Sequence, residues 1–331
     1  MIHRLQISNF RNFAKKEIIF SEGINVINAE NATGKTNILE AIVFLALGKS
    51  FKARIESECI KYDEQIARIF TDGLEIILTK DVDGWPKKRM LVNGVPKRLI
   101  DFAGNIKSVL FAPQDLELVT DGPSLRRNFL DTILSQSDRE YRRALGSYEK
   151  GIRQRNRLLL RIREENISRS NLLFWNQLLI KNGNYITDKR RELIDHINSL
   201  DKCHLQYDSS VISEGRLEHY KDEEVASATT LVGPHRDDFI FLKSGKNLSS
   251  FGSRGEQRME ILWLKLAELA YIEEKTTIKP ILLLDDIFSE LDHMHRQIIM
   301  QTFDNHQVII TSADEHNLPK INPKSINIIN L

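Results

Sequence analysis

The stretch NAENATGKTNILEA, residues 28–41, closes a short apolar run, GINVINAE, and opens a helically spaced one, KTNILEAIVFLALG. Strand, loop and helix in that order predict a phosphate-binding turn. In such a turn backbone N–H groups and the helix N-terminus cradle phosphates, a lysine reaches the β and γ oxygens, and a hydroxyl ligates Mg2+. The candidate contacts are Asn31, Ala32, Thr33, Gly34, Lys35, Thr36 and Asn37, with Lys35 for phosphate and Thr36 for the metal. Ala29 stands where the pattern GxxxxGK[ST] opens on glycine. Alanine there costs on the order of 1 kcal/mol if its φ is positive and nothing otherwise. The competing reading is a chance GKT at the start of a surface helix.

Working outward, ILLLDDIFSELD (residues 281–292) brings Asp285 and Asp286 to the carboxyl end of an apolar strand, which is where α/β sheets bind ligands. Asp285 is read as holding Mg2+ through water, and Asp286 as orienting or deprotonating an attacking water beside a γ-phosphate. A purely structural acid pair is disfavoured because adjacent like charges repel. Upstream, FGSRGEQRMEILWLKLAEL sets Ser253, Arg254, Gly255, Glu256 and Gln257 at a helix start. That positive end faces a phosphate, or the serine merely caps the helix.

Around these motifs the chain of 331 residues has 41% hydrophobic and 28% charged content and a formal net charge of +1. It is long enough for one large or two ordinary domains, and any attraction to nucleic acid must come from local patches. Cys59 and Cys203 form neither a disulfide framework nor a metal motif, which suits a reducing compartment and a cytoplasmic location. MIHRLQISNF lacks the features of a signal peptide, and the longest apolar run, AIVFLALG, is too short to span a bilayer, so no membrane association is expected. Residues 55–93 read as antiparallel strands with turns at TDG, DVDG and NG. From Leu116 to about Ser199 the pattern becomes long and helical, with few breakers. Strand character returns in TTLVGPHRDDFIFL (229–242), and KPILLLDDIF and HQVIITSAD read as buried strands. The predicted organisation is a head of residues 1–115 and 226–331, split by a helical insertion over 116–225. No repeat, low-complexity tract or long heptad run is present.

The chain resembles the RecF family, whose ATPase heads are related to those of SMC proteins in the ABC class. The resemblance runs through NFRNF, NATGKTNILEAI, GKSFKAR, LFAPQDLELVTDGPSLRRNFLD, YEKGIRQRNRLL, TLVGPHRDD, SRGEQR and LLLDDIFSELD. It implies an α/β fold: an ABC/SMC-type P-loop ATPase head of mixed β subdomain and αβ core, with an inserted helical second lobe and no long coiled-coil arm. It further implies dimerisation when ATP is sandwiched between one subunit's phosphate loop and the other's signature loop. On that basis Lys35, Thr36, Asp285 and Asp286 act in cis, and Ser253 with Gly255 contacts the γ-phosphate held by the partner. Gln114, in FAPQDL, resembles the Q-loop residue that senses Mg2+, and Asp292 resembles the D-loop residue that crosses the dimer interface. Departures from the wider class are Ala29, Ala32, the aspartate at 286, and Thr311 and Ser312 where transporters carry a switch histidine. The chain also reads as shorter than a typical member, trimmed around SSVISEGRLEHYKDEEVAS.

Between Arg142 and Arg163 stand Arg142, Arg143, Lys150, Arg153, Arg155, Arg157, Arg161 and Arg163 against the single acid Glu149. A basic helix of this kind neutralises phosphates and binds DNA with salt-sensitive, largely sequence-independent affinity. The alternative is a solvated face, or arginines paired with acids. Arg4, Arg11, Lys49, Lys52 and Arg54 are further candidates, since SMC-type heads lay DNA across the top of the ATP-bound dimer. His235, Asp237 and Asp238 do not have the spacing of a standard metal site, and Trp175 and Trp263 read as packing residues. Two functions compete: an ATP-gated DNA clamp of recombinational repair, and a RecF-related ABC-type ATPase with a changed role in transport or beside a nuclease. The missing switch histidine and nuclease domain favour the clamp. For it the resemblance implies weak, DNA-stimulated ATP hydrolysis, RecO and RecR as partners, duplex or gap-junction DNA, and help in loading RecA.

Overall fold

The computed structural model describes residues 1–80, 86–289, 291–312 and 326–331. The turn expected at DVDG (81–84), Glu290 of SELD, and residues 313–314 of HQVIITSAD lie outside these. The chain divides into a unit of Met1–Asp115 with Glu268–Leu331 and a unit of Leu116–Ala267.

The first unit begins with β1 (Arg4–Phe10), β2 (Phe13–Ile19), β3 (Ile24–Asn28) and α1 (Lys35–Leu47). It continues with β4 (Ile66–Thr71), β5 (Leu74–Lys80), β6 (Pro86–Val92), β7 (Val95–Lys97), α2 (Leu99–Phe102) and β8 (Ser108–Phe111). Hairpin-forming strands build an antiparallel sheet in the order β2-β1-β4-β5-β6-β7. In GINVIN, INVI is buried on both faces, the mark of a strand with neighbours on either side and layers above and below. Helix α1 is apolar nearly all round: every residue from Ile38 to Leu47 is buried. It therefore needs cover on every side, and it shares one core with the antiparallel strands and with Ile27, Ile281, Leu283 and Ile309 of the parallel ones. Phe44 is fully buried there, so Phe44→Ala costs about 3–5 kcal/mol. The helix stops at Gly48, whose φ of 70 is the left-handed value glycine tolerates; a Cβ there would meet Leu99 Cδ1 at 2.3 Å.

The second unit opens with α3 (Glu117–Thr120), α4 (Pro123–Ser137), α5 (Arg139–Glu165), α6 (Leu173–Ser199) and β9 (His204–Asp208). It continues through α7 (Glu214–His219), α8 (Lys221–Ser227), β10 (Asp238–Lys243), β11 (Lys246–Asn247), α9 (Leu248–Phe251) and the start of α10 (Arg254–Thr276). The stretch thought to be trimmed thus supplies two short helices, α7 and α8. Asp138 caps α5 by accepting from the N–H groups of Glu140 and Tyr141. Residues 226–267, expected with the head, cluster with this unit, because β10 pairs with β9 and β11 in an antiparallel sheet. The strand expected over 229–242 shrinks to β10. Gly233 at φ 125, followed by Pro234, bends the chain into a short 3-10 turn that breaks it.

That turn, GPHRDD, is tied down from several sides. Arg190 is buried and donates to Asp131 at 2.8 Å, Asp237 at 3.0 Å and Pro234 O at 2.7 Å. Arg126 clasps Asp238 through both oxygens, at 2.7 and 3.0 Å. His235 Nε2 lies 3.0 Å from Thr230 O, so it carries the proton, and Nδ1 accepts from Tyr148 Oη at 2.8 Å. Trp175 and Trp263 are half-buried on their helices.

After α10 the chain returns to the first unit with β12 (Ile281–Asp285), α11 (His293–Met300), β13 (Val308–Ser312) and β14 (Ile326–Asn330). These strands join β3 and β8 in a parallel sheet of order β14-β3-β13-β12-β8, with β8 at its edge. The carboxyl ends of β3, β12, β13 and β8, each carrying a motif singled out from sequence, therefore lie along one edge.

Candidate functional site

The turn expected to bind phosphate leaves β3 and wraps its own lysine. Lys35 Nζ donates to Ala29 O at 2.7 Å, Glu30 O at 3.1 Å and Asn31 Oδ1 at 3.4 Å, and its side chain is almost fully buried. A buried ammonium is tolerated only when its donors find oxygens, so the loop's carbonyls gather round it. Thr33 Oγ1 donates to Glu30 O at 2.8 Å and closes the loop locally. Ala29 is not among the residues with positive φ, whereas Ala32 has φ 66 and Gly34 φ 107. The missing first glycine is thus free of backbone strain, and the alanine that bears it is Ala32.

Across the sheet, Thr36 Oγ1 donates to Asp285 Oδ1 at 3.0 Å. Thr311 lies on β13, between β3 and β12, and donates to the same oxygen at 2.8 Å while accepting from Asp286 N–H at 3.0 Å. Asp286 is held at φ 49, a left-handed value that aspartate tolerates better than most residues. Thr36, Asp285 and Thr311 therefore share one carboxylate oxygen, with Asp286 fixed beside them through its backbone. Asp285 is buried. Thr36 and Asp285 offer only oxygen donors, the set a hard cation such as Mg2+ prefers; they fit that ion.

Sequence reasoning missed what supports the turn. Asn12 Nδ2 donates to Thr33 O at 2.7 Å, and its Oδ1 accepts from Asn37 Nδ2 at 2.9 Å. Gly34 runs so close that a Cβ would meet both Asn12 amide atoms at 2.6 Å; only glycine satisfies both this approach and φ 107. Next to Asn12, Arg11 forks onto Glu40 of α1 at 2.8 and 2.6 Å and reaches Glu58 O at 2.9 Å. Glu40 is fully buried and also accepts from Ser50 Oγ. The hydrogen bond to Glu40 raises the Arg11 pKa, and burial pushes the Cys59 thiol, also against Glu40, up to about 12. The motifs NFRNF and GKSFKAR were legible as resemblance, but their joint grip on α1 was not. Arg11, counted among possible DNA contacts, is committed to this ion pair, and Arg4 pairs with Glu17 at 2.7 Å.

Gln114 follows β8, whose Phe111 pairs with Leu284 next to Asp285; its side chain is exposed and makes no hydrogen bond to another described residue. Asp292 caps α11, accepting from His295 N–H at 3.0 Å and Nδ1 at 2.6 Å. These bonds to His295 hold its carboxyl below the usual range.

In the second unit, Ser253 and Glu256 form a reciprocal capping box on α10. Ser253 N–H and Oγ–H donate to Glu256 Oε2 at 2.8 and 2.9 Å, and Glu256 N–H returns to Ser253 Oγ at 3.3 Å. Ser253, Arg254 and Gly255 are exposed at this positive helix end, and Gln257 is buried on the first turn with Nε2 donating to Leu248 O at 3.3 Å.

The basic run on α5 separates into three classes. Arg155 is a correction: it is buried and donates to Glu224 at 2.6 Å, Thr230 Oγ1 at 2.9 Å and Asn176 Oδ1 at 2.7 Å, so it reaches no external phosphate. Arg142 donates to Ser135 O, while Arg143, Arg161 and Arg163 pair with Glu140, Glu165 and Glu164 on the same helix. Lys150, Arg153 and Arg157 are exposed, and their side chains engage no acid among the described residues. Spacings of three and four put these three on one face.

A family model described as RecF/RecN/SMC N terminal domain matches residues 1–328. The chain is 35% identical to the DNA replication and repair protein RecF of Lachnoclostridium phytofermentans, covering 94% of this chain and 92% of that one. It is 34% identical to RecF of Agathobacter rectalis, covering 94% and 91%. A solved structure of "the recombination mediator protein RecF-ATP in RecFOR pathway" matches with a TM-score of 0.83 at 31% identity, covering 96% of this chain and 93% of that chain. Its counterpart described as RecF-ATPrS matches at 0.84 and 31%, covering 98% and 97%. With the lysine-wrapping turn after β3, the acidic strand end and the capping-box loop already in place, this chain belongs to the RecF family of DNA replication and repair proteins.

Proposed function

We propose that the protein is an ATP-dependent DNA clamp of recombinational repair: ATP closes a homodimer on duplex DNA or a gap junction, and slow hydrolysis opens it. The observation that carries this is the Thr36–Asp285 hydrogen bond, which joins the phosphate-binding turn to the acidic strand end over 249 residues of sequence. The reading is supported by relatives whose solved structures are described with ATP in the RecFOR pathway. RecO and RecR as partners, and help in loading RecA, belong to the same proposal.

Lys35 exchanges its three loop oxygens for phosphate oxygens, a trade between charge-assisted bonds that favours the more highly charged acceptor. Thr36 and Asp285 would hold Mg2+, which supplies neutralisation of the charge on the β and γ oxygens. Asp286, its N–H anchored by Thr311, takes or orients the proton of the attacking water; Gln114 stands one strand away. Ser253 and Gly255 present a helix N-terminus to the nucleotide of a second subunit, and Asp292 meets that subunit too. Lys150, Arg153 and Arg157 supply the phosphate contacts on DNA, with Arg143 joining if it leaves Glu140.

Molar mass by light scattering, with Mg2+ and ATP and with or without gapped duplex, tests the clamp. The expected result is an ATP-dependent dimer strengthened by DNA, lost in Lys35→Ala, which drops the phosphate contact. Ser253→Arg is expected to bind nucleotide yet remain monomeric. Dimerisation of Ser253→Arg with ATP would overturn the composite site.

A further inference from the structure

Ser253, the residue read as facing a second subunit's nucleotide, already holds a negative charge from its own chain. Its Oγ–H donates to Glu256 Oε2 at 2.9 Å, and a hydroxyl has one proton to give. Ser253 N–H ends on the same oxygen at 2.8 Å. At the positive start of α10 the acceptor's place is thus filled by a carboxylate, an acceptor of the same charged kind as a phosphate oxygen. The bonds from Ser253, with Lys243 nearby, hold the Glu256 carboxyl below its usual range, so it is ionised. Its other oxygen, Oε1, lies 3.3 Å from Lys243 Nζ. That cation has a fixed root: Lys243 ends β10 and pairs with Lys246 across Ser244 and Gly245, whose φ values of 50 and 75 suit a tight hairpin turn. Both side chains of the ion pair are about two-fifths exposed, and such pairs hold their partners loosely. Around the serine the surface is open. Arg254 and Gly255 are exposed, and a Cβ added at Gly255 would meet nothing within 4 Å.

We propose that Glu256 makes subunit closure depend on a terminal phosphate: it keeps the Ser253 hydroxyl proton until a more highly charged oxygen takes it, and reclaims it once that phosphate is gone. The proposal rests on the reading of Ser253 and Gly255 as the contact to a second subunit's nucleotide, and it gives Glu256 a part opposite to theirs. Arrival of the phosphate moves Ser253 Oγ–H from carboxylate to phosphate, a trade that favours the acceptor of higher charge. Glu256 then retreats toward Lys243, because a carboxylate left beside a phosphate is repelled by it. A diphosphate in the other subunit lacks the group that reaches the serine, so the carboxylate keeps its donor and the dimer stays open. After hydrolysis the same competition runs backwards, and recapture of the hydroxyl speeds opening. A capping box alone makes none of these demands, since glutamine completes it as well as glutamate.

The test compares the full-length wild type with Glu256→Gln, which preserves the box and removes the charge. Molar mass by light scattering is followed against ATP and against ADP, each with Mg2+, and opening is timed after dilution into nucleotide-free buffer. Thermal unfolding checks the cap, and isothermal titration checks that each protein binds nucleotide. Expected for Glu256→Gln are an unchanged unfolding temperature, a dimer reached at an ATP concentration lower on the order of fivefold, a dimer with ADP that the wild type does not form, and slower opening. Equal ATP midpoints and opening times in the two proteins would overturn the proposal, leaving Glu256 a cap and the composite site standing. A Glu256→Gln protein that needed more ATP would overturn it too, placing the carboxylate on the side of closure. Two proteins that bound ATP yet stayed monomeric at saturation would defeat the composite site and this proposal with it.

Discussion

Thr311 Oγ1 lies 2.8 Å from Asp285 Oδ1 and 3.0 Å from Asp286 N, so one hydroxyl serves both acids of the strand end. Where transporters of the wider class carry a histidine, this chain keeps a short side chain that organises the acidic pair from the neighbouring strand.

Thr311→Val preserves shape and removes the hydroxyl, leaving the Asp286 N–H without its acceptor. A destabilisation of about 1–3 kcal/mol is expected, together with slower ATP hydrolysis and nearly unchanged nucleotide affinity. Thermal unfolding and single-turnover kinetics measure the two effects separately; equal hydrolysis rates would remove Thr311 from the arrangement of Asp286.

The two alanines of the phosphate-binding turn predict opposite outcomes. Ala32 sits at φ 66, so Ala32→Gly relieves left-handed strain and is expected to stabilise by about 1 kcal/mol. Ala29 lacks a positive φ, so Ala29→Gly only adds freedom to the unfolded chain and is expected to destabilise by about 0.5–1 kcal/mol. Unfolding of the paired variants reads the difference in sign.

Within α5 the arginines separate by experiment as they do by burial. Arg155→Ala leaves Glu224 buried without its cation and is expected to cost about 3–5 kcal/mol in stability. Alanine at Lys150, Arg153 or Arg157 is expected to leave stability nearly unchanged and to lower the slope of log affinity for DNA against log salt by roughly one per residue. A salt series by fluorescence anisotropy checks this. Unchanged slopes would move the DNA surface off this face.

His235 sets part of the acid limb of stability. Burial, with Arg236, Arg127 and Arg155 nearby, lowers its pKa from 6.5 to about 4. The unfolded chain therefore binds the proton first, so this contribution is complete above about pH 6.5 and is lost as pH falls toward 4. It is on the order of 3 kcal/mol. His235→Asn is expected to flatten the unfolding free energy across that window; an unaltered slope would place the titration elsewhere.

Much of this molecule could be read from the chain directly. The strand–loop–helix of residues 24–47, the acids ending β12 and the serine opening α10 are local patterns, in which spacing and residue type carry the chemistry. Their agreement in order also carried the family resemblance. The hairpin signals at TDG and NG agree with β4, β5 and β6 for the same reason: turn chemistry acts between neighbours in sequence.

Other features depended on which distant segments meet. Spacing put eight cations on one stretch but could not show that Arg155 turns inward to Glu224, because the acid that claims it lies on a separate helix. Composition could not tell that Ala32 and not Ala29 bears the positive φ, since that follows from how Asn12 and Lys35 hold the turn. Nor did periodicity show that Gly233–Pro234 would break a strand and leave β10 paired within the second unit. The sequence by itself determined the strand–loop–helix of residues 24–47, the acidic strand end and the basic helix, because each is written in adjacent residues. Only the tertiary structure decided which of those groups are spent on one another, because burial makes every charge find its partner wherever in the chain that partner lies.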